Sequence, residues 1–100
     1  MLQGDSYRLG FRIKRNGIPV KDSDVFDVEI CIGSLIKTYR KDELSYTDEK
    51  WYFPFEQEET FAMIPKKQPV QVRVYYKSGD VKGSKLNPIN IEESLSKTVL

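Results

Sequence analysis

Apolar and polar residues alternate with a period of two in four stretches of this chain. Tyr7, Leu9, Phe11 and Ile13 point one way while Arg8, Arg12 and Lys14 point the other. Phe26, Val28, Ile30 and Ile32 repeat the pattern, as do Trp51, Phe53 and Phe55, and then Val70, Val72, Val74 and Tyr76. Successive side chains on a strand face opposite sides, so each stretch reads as a strand with one buried and one wet face. Together these faces predict a single core containing Phe11, Ile13, Val28, Ile30, Trp51, Phe53, Phe55, Phe61, Val72 and Val74.

The punctuation between the stretches predicts how they connect. A first strand over about 6–15 turns at Asn16-Gly17, a strong hairpin signal, and Ile18-Pro19-Val20 continues extended. Lys21 to Asp24 is a polar loop before a second strand over 25–32, which Gly33-Ser34 stops. A short strand near 35–39 and the charged loop 40–43 lead to a hairpin of 44–46 with 51–55. Residues 57–60 are good helix formers and predict one helical turn, after which Phe61 should return to the core. Pro65 to Pro69 predicts a crossover loop. The strand 70–76 pairs with one starting near Val81, which Asn87-Pro88 should break before 89–91 resumes it. Seven to eight strands with turn signals every 8–12 residues predict an all-β fold: an immunoglobulin-like antiparallel β-sandwich with one short helical turn near 57–60. One domain over 1–92 and a tail over 93–100 follow.

Composition narrows the chemistry. At 100 residues with 39% apolar content the chain fills one core and no second. The net charge is +1, with 16 basic and 15 acidic residues interspersed, which is not the basic footprint of a nucleic-acid binder. No apolar run approaches the ~20 residues of a spanning helix, and Met1 to Asp5 lacks the apolar segment of a secretory signal, so neither a membrane partner nor export is expected. There is no histidine and one cysteine, Cys31. That removes most triads and general acid–base pairs, and a structural zinc site cannot be assembled. No Gly-rich phosphate loop occurs. The carboxylate groups Asp22/Asp24/Asp27, Asp42/Glu43/Asp48/Glu49 and Glu56/Glu58/Glu59 read as solvated loops rather than a calcium site. A protein that is not an enzyme and has no cofactor is the expectation.

Three features bear on contact with other molecules. Arg8, Arg12 and Lys14 on the polar face of the first strand would pair with Asp27 and Glu29 if the two strands shared a sheet. Tyr52 and Tyr75 fall on the polar faces of their strands and are candidates for a sugar-stacking or partner-docking role. In the tail, Leu95, Val99 and Leu100 stand out from a polar background, with Leu95 and Val99 spaced for one face of a short helix. They are candidate anchors for a docking peptide, and a tail folded loosely on its own domain is the alternative.

Several segments together carry a family resemblance. These are Tyr7–Lys14 followed by Asn16-Gly17-Ile18-Pro19-Val20, then Val25-Phe26-Asp27-Val28-Glu29-Ile30, Tyr52 through Phe61, Val70-Gln71-Val72-Arg73-Val74, and the ending Ser94 to Leu100. The chain resembles small uncharacterised proteins encoded among the tail and baseplate genes of phages and prophages of Gram-positive bacteria. It is also similar to the immunoglobulin-like N-terminal domains of baseplate upper proteins. The resemblance implies a non-enzymatic structural or adaptor subunit, made in the host cytoplasm and carried in the tail region of the virion. Its partners would be other phage structural proteins or further copies of itself. A carbohydrate-binding or adhesion module using exposed tyrosines is the alternative function.

Overall fold

The computed structural model describes residues 1–100. Seven strands form two antiparallel sheets packed face to face, and a two-stranded hairpin closes one end. In chain order they are β1 (Tyr7–Phe11), the hairpin β2 (Lys14–Arg15) and β3 (Ile18–Pro19), β4 (Val25–Ile32), β5 (Leu35–Arg40), β6 (Ser45–Thr47), β7 (Lys50–Phe55), α1 (Gln57–Phe61), β8 (Lys67–Tyr76) and β9 (Val81–Asn90). One sheet runs β1-β7-β6 and the other β5-β4-β8-β9. Local hairpins β4–β5, β6–β7 and β8–β9 stay within a sheet, while three longer connections cross between sheets. That is the strand order of an immunoglobulin-like sandwich. A strand preceding β1 is reduced to a single parallel bridge, Leu2 with Glu92, closed by Gln3 N–H donating to the Glu92 carbonyl at 2.9 Å and Glu92 N–H to that of Met1 at 2.8 Å.

The core lies between the sheets and unites Leu9, Ile13, Val28, Ile30, Trp51, Phe53, Phe55, Val72 and Val74 with others in one buried cluster. Each such side chain contributes about 1.5–3 kcal/mol by leaving water. Tyr39 ties the sheets together. Its ring lies edge-on to Phe53 at 5.8 Å and Phe55 at 6.3 Å, and its hydroxyl donates to the Pro54 carbonyl on the opposite sheet. Lys37 closes the open side beside it, stacking 4.9 Å over the Tyr39 ring and meeting Glu59 of α1 at 2.8 Å. Trp51 Nε1 donates to the Val20 carbonyl at 3.2 Å, fixing the segment after β3 over the core's end.

The turns follow backbone chemistry. Asn16 and Gly17 both have positive φ, 53° and 76°, as a two-residue turn matched to strand twist requires. Asp48 and Glu49 make the same turn at φ 52° and 63° without glycine. Residues 22–24 and 41–43 wind into single 3-10 turns. Glu56 and Glu59 cap α1 reciprocally, with Glu56 N–H donating to Glu59 Oε1 at 2.9 Å.

Several expectations are corrected. Phe26 is exposed and Val25 is buried, because the register of β4 against β8 shifts between Val25 and Asp27. A bulge there adds one residue and turns the side chains that precede it to the other face. Phe61 is half-buried across the backbone of Gly4, and Thr60 and Met63 take the core positions. Phe11 sits at the core's margin rather than inside it. Asn87-Pro88 does not end β9. The β8–β9 register shifts between Gln68 and Val70, so the extra residue absorbs the proline within one continuous edge strand. The first strand ends at Phe11, and the crossover loop is shorter than expected because β8 begins at Lys67. Residues 93–100 carry no helix. No helix is long and apolar enough to cross a membrane.

Candidate interaction face

The outer face of β5-β4-β8-β9 is organised in rows by strand register. Arg40, Asp27, Tyr75 and Val81 form one row, Thr38, Glu29, Arg73 and Gly83 the next, and Ile36, Cys31, Gln71 and Lys85 the third. The β4 bulge adds Phe26 to the first row. Its ring meets Tyr75 edge-to-face at 5.6 Å, a favoured aromatic geometry. Phe26 at 48%, Tyr75 at 43% and Val81 at 54% exposure thus form a contiguous apolar knob on a sheet face that faces water. Ile36 adds a fourth exposed apolar side chain at the far corner.

Hollows flank the knob. One of about 610 Å³ is bounded by Phe26, Asp27, Arg40, Lys41, Tyr75 and Lys77. The other, about 230 Å³, is bounded by Asp27, Glu29, Thr38, Arg73, Tyr75 and Val81. The smaller hollow has a polar wall. Arg73 Nε donates to Glu29 Oε1 at 2.8 Å and its Nη2 to Oε2 at 3.1 Å, a two-pronged pair that holds both side chains in place. The Arg73 hydrogen bonds hold the Glu29 carboxyl below its ordinary range. Burial, reinforced by the Glu29 charge, pushes the Cys31 thiol up, which disfavours the nucleophilic thiolate. No three His, Cys, Asp or Glu side chains converge as metal ligands. A separate cleft of about 420 Å³ lies at the same end of the sheet and shares Lys77 with the larger hollow; beside it Arg15 stacks 4.6 Å over Tyr76 and reaches Asp80 at 3.3 Å.

The residues singled out from sequence are dispersed. Tyr75 lies in the knob. Tyr52 is on the outer face of the other sheet, half-buried, directly opposite Gly10 and lying flat over it. A Cβ at position 10 would come 2.7 Å from the Tyr52 ring, so glycine makes room for the tyrosine. The two tyrosines therefore form no common platform. Leu95, Val99 and Leu100 lie in the tail, with Leu95 and Leu100 fully exposed and Val99 half-exposed. The tail lies over its own domain through Lys97 Nζ donating to Gln3 Oε1 at 3.0 Å and Leu100 N–H to Gln57 Oε1 at 2.8 Å. Arg8 of β1 sits on a different sheet from Asp27 and Glu29, Arg12 follows β1 and Lys14 lies in the β2–β3 hairpin, so the cross-strand pairs that a shared sheet would have made do not form, and Arg73 takes Glu29 instead.

Phe26, Val81 and Arg73 were not evident as surface residues of interest from the alternation. The usable signal was Val25-Phe26 itself: two adjacent apolar residues ahead of a strict alternation leave one of them outside. No protein family, curated protein or solved structure matches the chain.

Proposed function

We propose that this chain is a non-enzymatic structural or adaptor protein of a phage or prophage tail or baseplate, acting through protein–protein contact. The observation that carries the contact reading is the exposed Phe26–Tyr75–Val81 knob beside the Glu29–Arg73 pair. Aromatic and arginine side chains, held rigid and surrounded by polar groups, are the composition of an interface centre. A bulge that turns a large apolar side chain into water costs stability unless something covers it. Leu95, Val99 and Leu100 are further exposed apolar side chains, suited to ordering on a neighbour. The phage setting rests on the resemblance of the segments between Tyr7 and Leu100.

The test is fractionation. The lysate of an induced strain that carries the gene is separated on a density gradient, and each fraction is probed with an antibody to the chain. Sedimentation with tail-bearing particles is the expected result. A chain found only with unassembled protein at the top of the gradient contradicts the proposal.

A further inference from the structure

We propose that the outer face of β5-β4-β8-β9 pairs with the same face of a second copy, across a two-fold axis parallel to the strands and lying between β4 and β8. The inference rests on reading this face as a contact surface, and it names the occupant. Such an axis carries β4 of one copy over β8 of the other, and β5 over β9, without moving any row along the strands. The register then fixes what meets what. Glu29 faces Arg73 of the mate, and Phe26 with Asp27 faces its Tyr75. On the flanks Thr38 faces Gly83, Ile36 faces Lys85, and Arg40 faces Val81. No row opposes like charges.

The apolar parts meet as well. The Tyr75 ring of the mate arrives on Phe26, so the two knobs pack against each other beside the hollow bounded by Asp27, Glu29, Thr38, Arg73, Tyr75 and Val81. The central strands β4 and β8 lie nearest the axis, and the Glu29–Arg73 row, the middle one of the three, stays opposed when the sheets rotate by the roughly 30° that twisted sheets adopt on packing. Area is adequate as well. Strands of six, eight, ten and ten residues, at about 3.3 Å per residue and about 4.8 Å apart, cover about 540 Å² in projection. Side-chain relief brings that toward the ~800 Å² each partner gives to a specific interface. The interface is isologous, as closed dimers require.

Sedimentation of the full chain over a concentration series up to about 1 mM, the range of weak association, should show a monomer–dimer equilibrium. Tyr75→Ser should raise the dissociation constant about ten-fold or more, as loss of an interface centre does. The double variant E29R/R73E keeps the pair within each chain with its sign reversed, so its mate's face still complements its own. It should dimerise with itself and fail to exchange with wild type, whose Arg73 it would meet with arginine. A wild-type chain that stays monomeric overturns the self-pairing. So does a Tyr75→Ser chain that associates unchanged, or a double variant that exchanges freely with wild type. A monomer whose Phe26 and Tyr75 are still needed for particle incorporation overturns the second copy as occupant while leaving the contact reading standing.

Discussion

Replacing Tyr39 separates two contributions that the structure places in one side chain. The ring is buried between the sheets against Phe53 and Phe55, and the hydroxyl donates to the Pro54 carbonyl across the sandwich. Burial, with the nearby carboxylates of Glu59, Glu43 and Glu56, pushes that hydroxyl well above its ordinary pKa, which favours the protonated, donating form. Tyr39→Phe keeps the ring and removes one hydrogen bond, which costs about 1 kcal/mol. Tyr39→Ala also removes the ring from a site that cannot collapse between two sheets, and the total is about 4–5 kcal/mol. Against a domain stability of about 5–15 kcal/mol, the second loss brings the chain close to unfolding at room temperature. Trp51, the only tryptophan and fully buried, reports unfolding by its fluorescence in a urea titration. With a slope of about 1–3 kcal/mol per molar urea, Tyr39→Phe should lower the midpoint by about 0.3–1 M and Tyr39→Ala by several-fold more. A Phe variant as damaged as the Ala variant would refute the packing argument, and an Ala variant costing under about 1.5 kcal/mol would refute the placement of Tyr39 across the sandwich.

Other consequences follow from single contacts. Deleting residues 93–100 removes two side-chain hydrogen bonds to the domain and no strand pairing, so the melting temperature by differential scanning calorimetry should fall by less than about 5 °C. The face-to-face dimer should survive that deletion, and incorporation into particles should drop. Gly33 has φ 58°, and a Cβ there would sit 2.4 Å from Oε1 of the buried Gln68, so Gly33→Ala should cost about 1–3 kcal/mol in urea denaturation. Glu29 has a depressed pKa in the fold, so its stabilising effect is complete above its ordinary value of 4.5 and disappears as pH falls through its lower folded value. The stability gap between wild type and Glu29→Gln should therefore be widest near neutral pH and close in acid below 4.5, measured by urea midpoints across pH.

How far the sequence carried depended on whether a signal was local. The alternation of Val70, Val72, Val74 and Tyr76, and that of Trp51, Phe53 and Phe55, gave the buried faces directly, because burial enforces a period of two. Asn16-Gly17 identified its turn for the same kind of local reason. What was not legible arose from pairing between distant strands. The bulge that exposes Phe26 exists only in the register of β4 against β8, and the Glu29–Arg73 pair joins residues far apart in the chain. Sheet membership decided the remaining cases: the first two long strands would exchange charges only within one sheet, and β1 and β4 lie in different sheets. Phe61 lost its core place to Met63 because the helical turn is one residue longer than its formers suggested. Of the candidate site, Tyr75 was visible in advance, and the knob it belongs to was not.

The claim that the β5-β4-β8-β9 face makes protein contact is tested most directly by complementation. A lysogen deleted for the gene is supplied with wild-type chain or with the Phe26→Ser/Tyr75→Ser double variant, both substitutions lying on exposed positions. Particles are purified after induction, and the amount of chain per particle is measured by mass spectrometry, with circular dichroism confirming that the variant is folded. The account predicts wild-type chain in the particles and a folded double variant left behind in the lysate. A folded double variant incorporated as fully as wild type would contradict it.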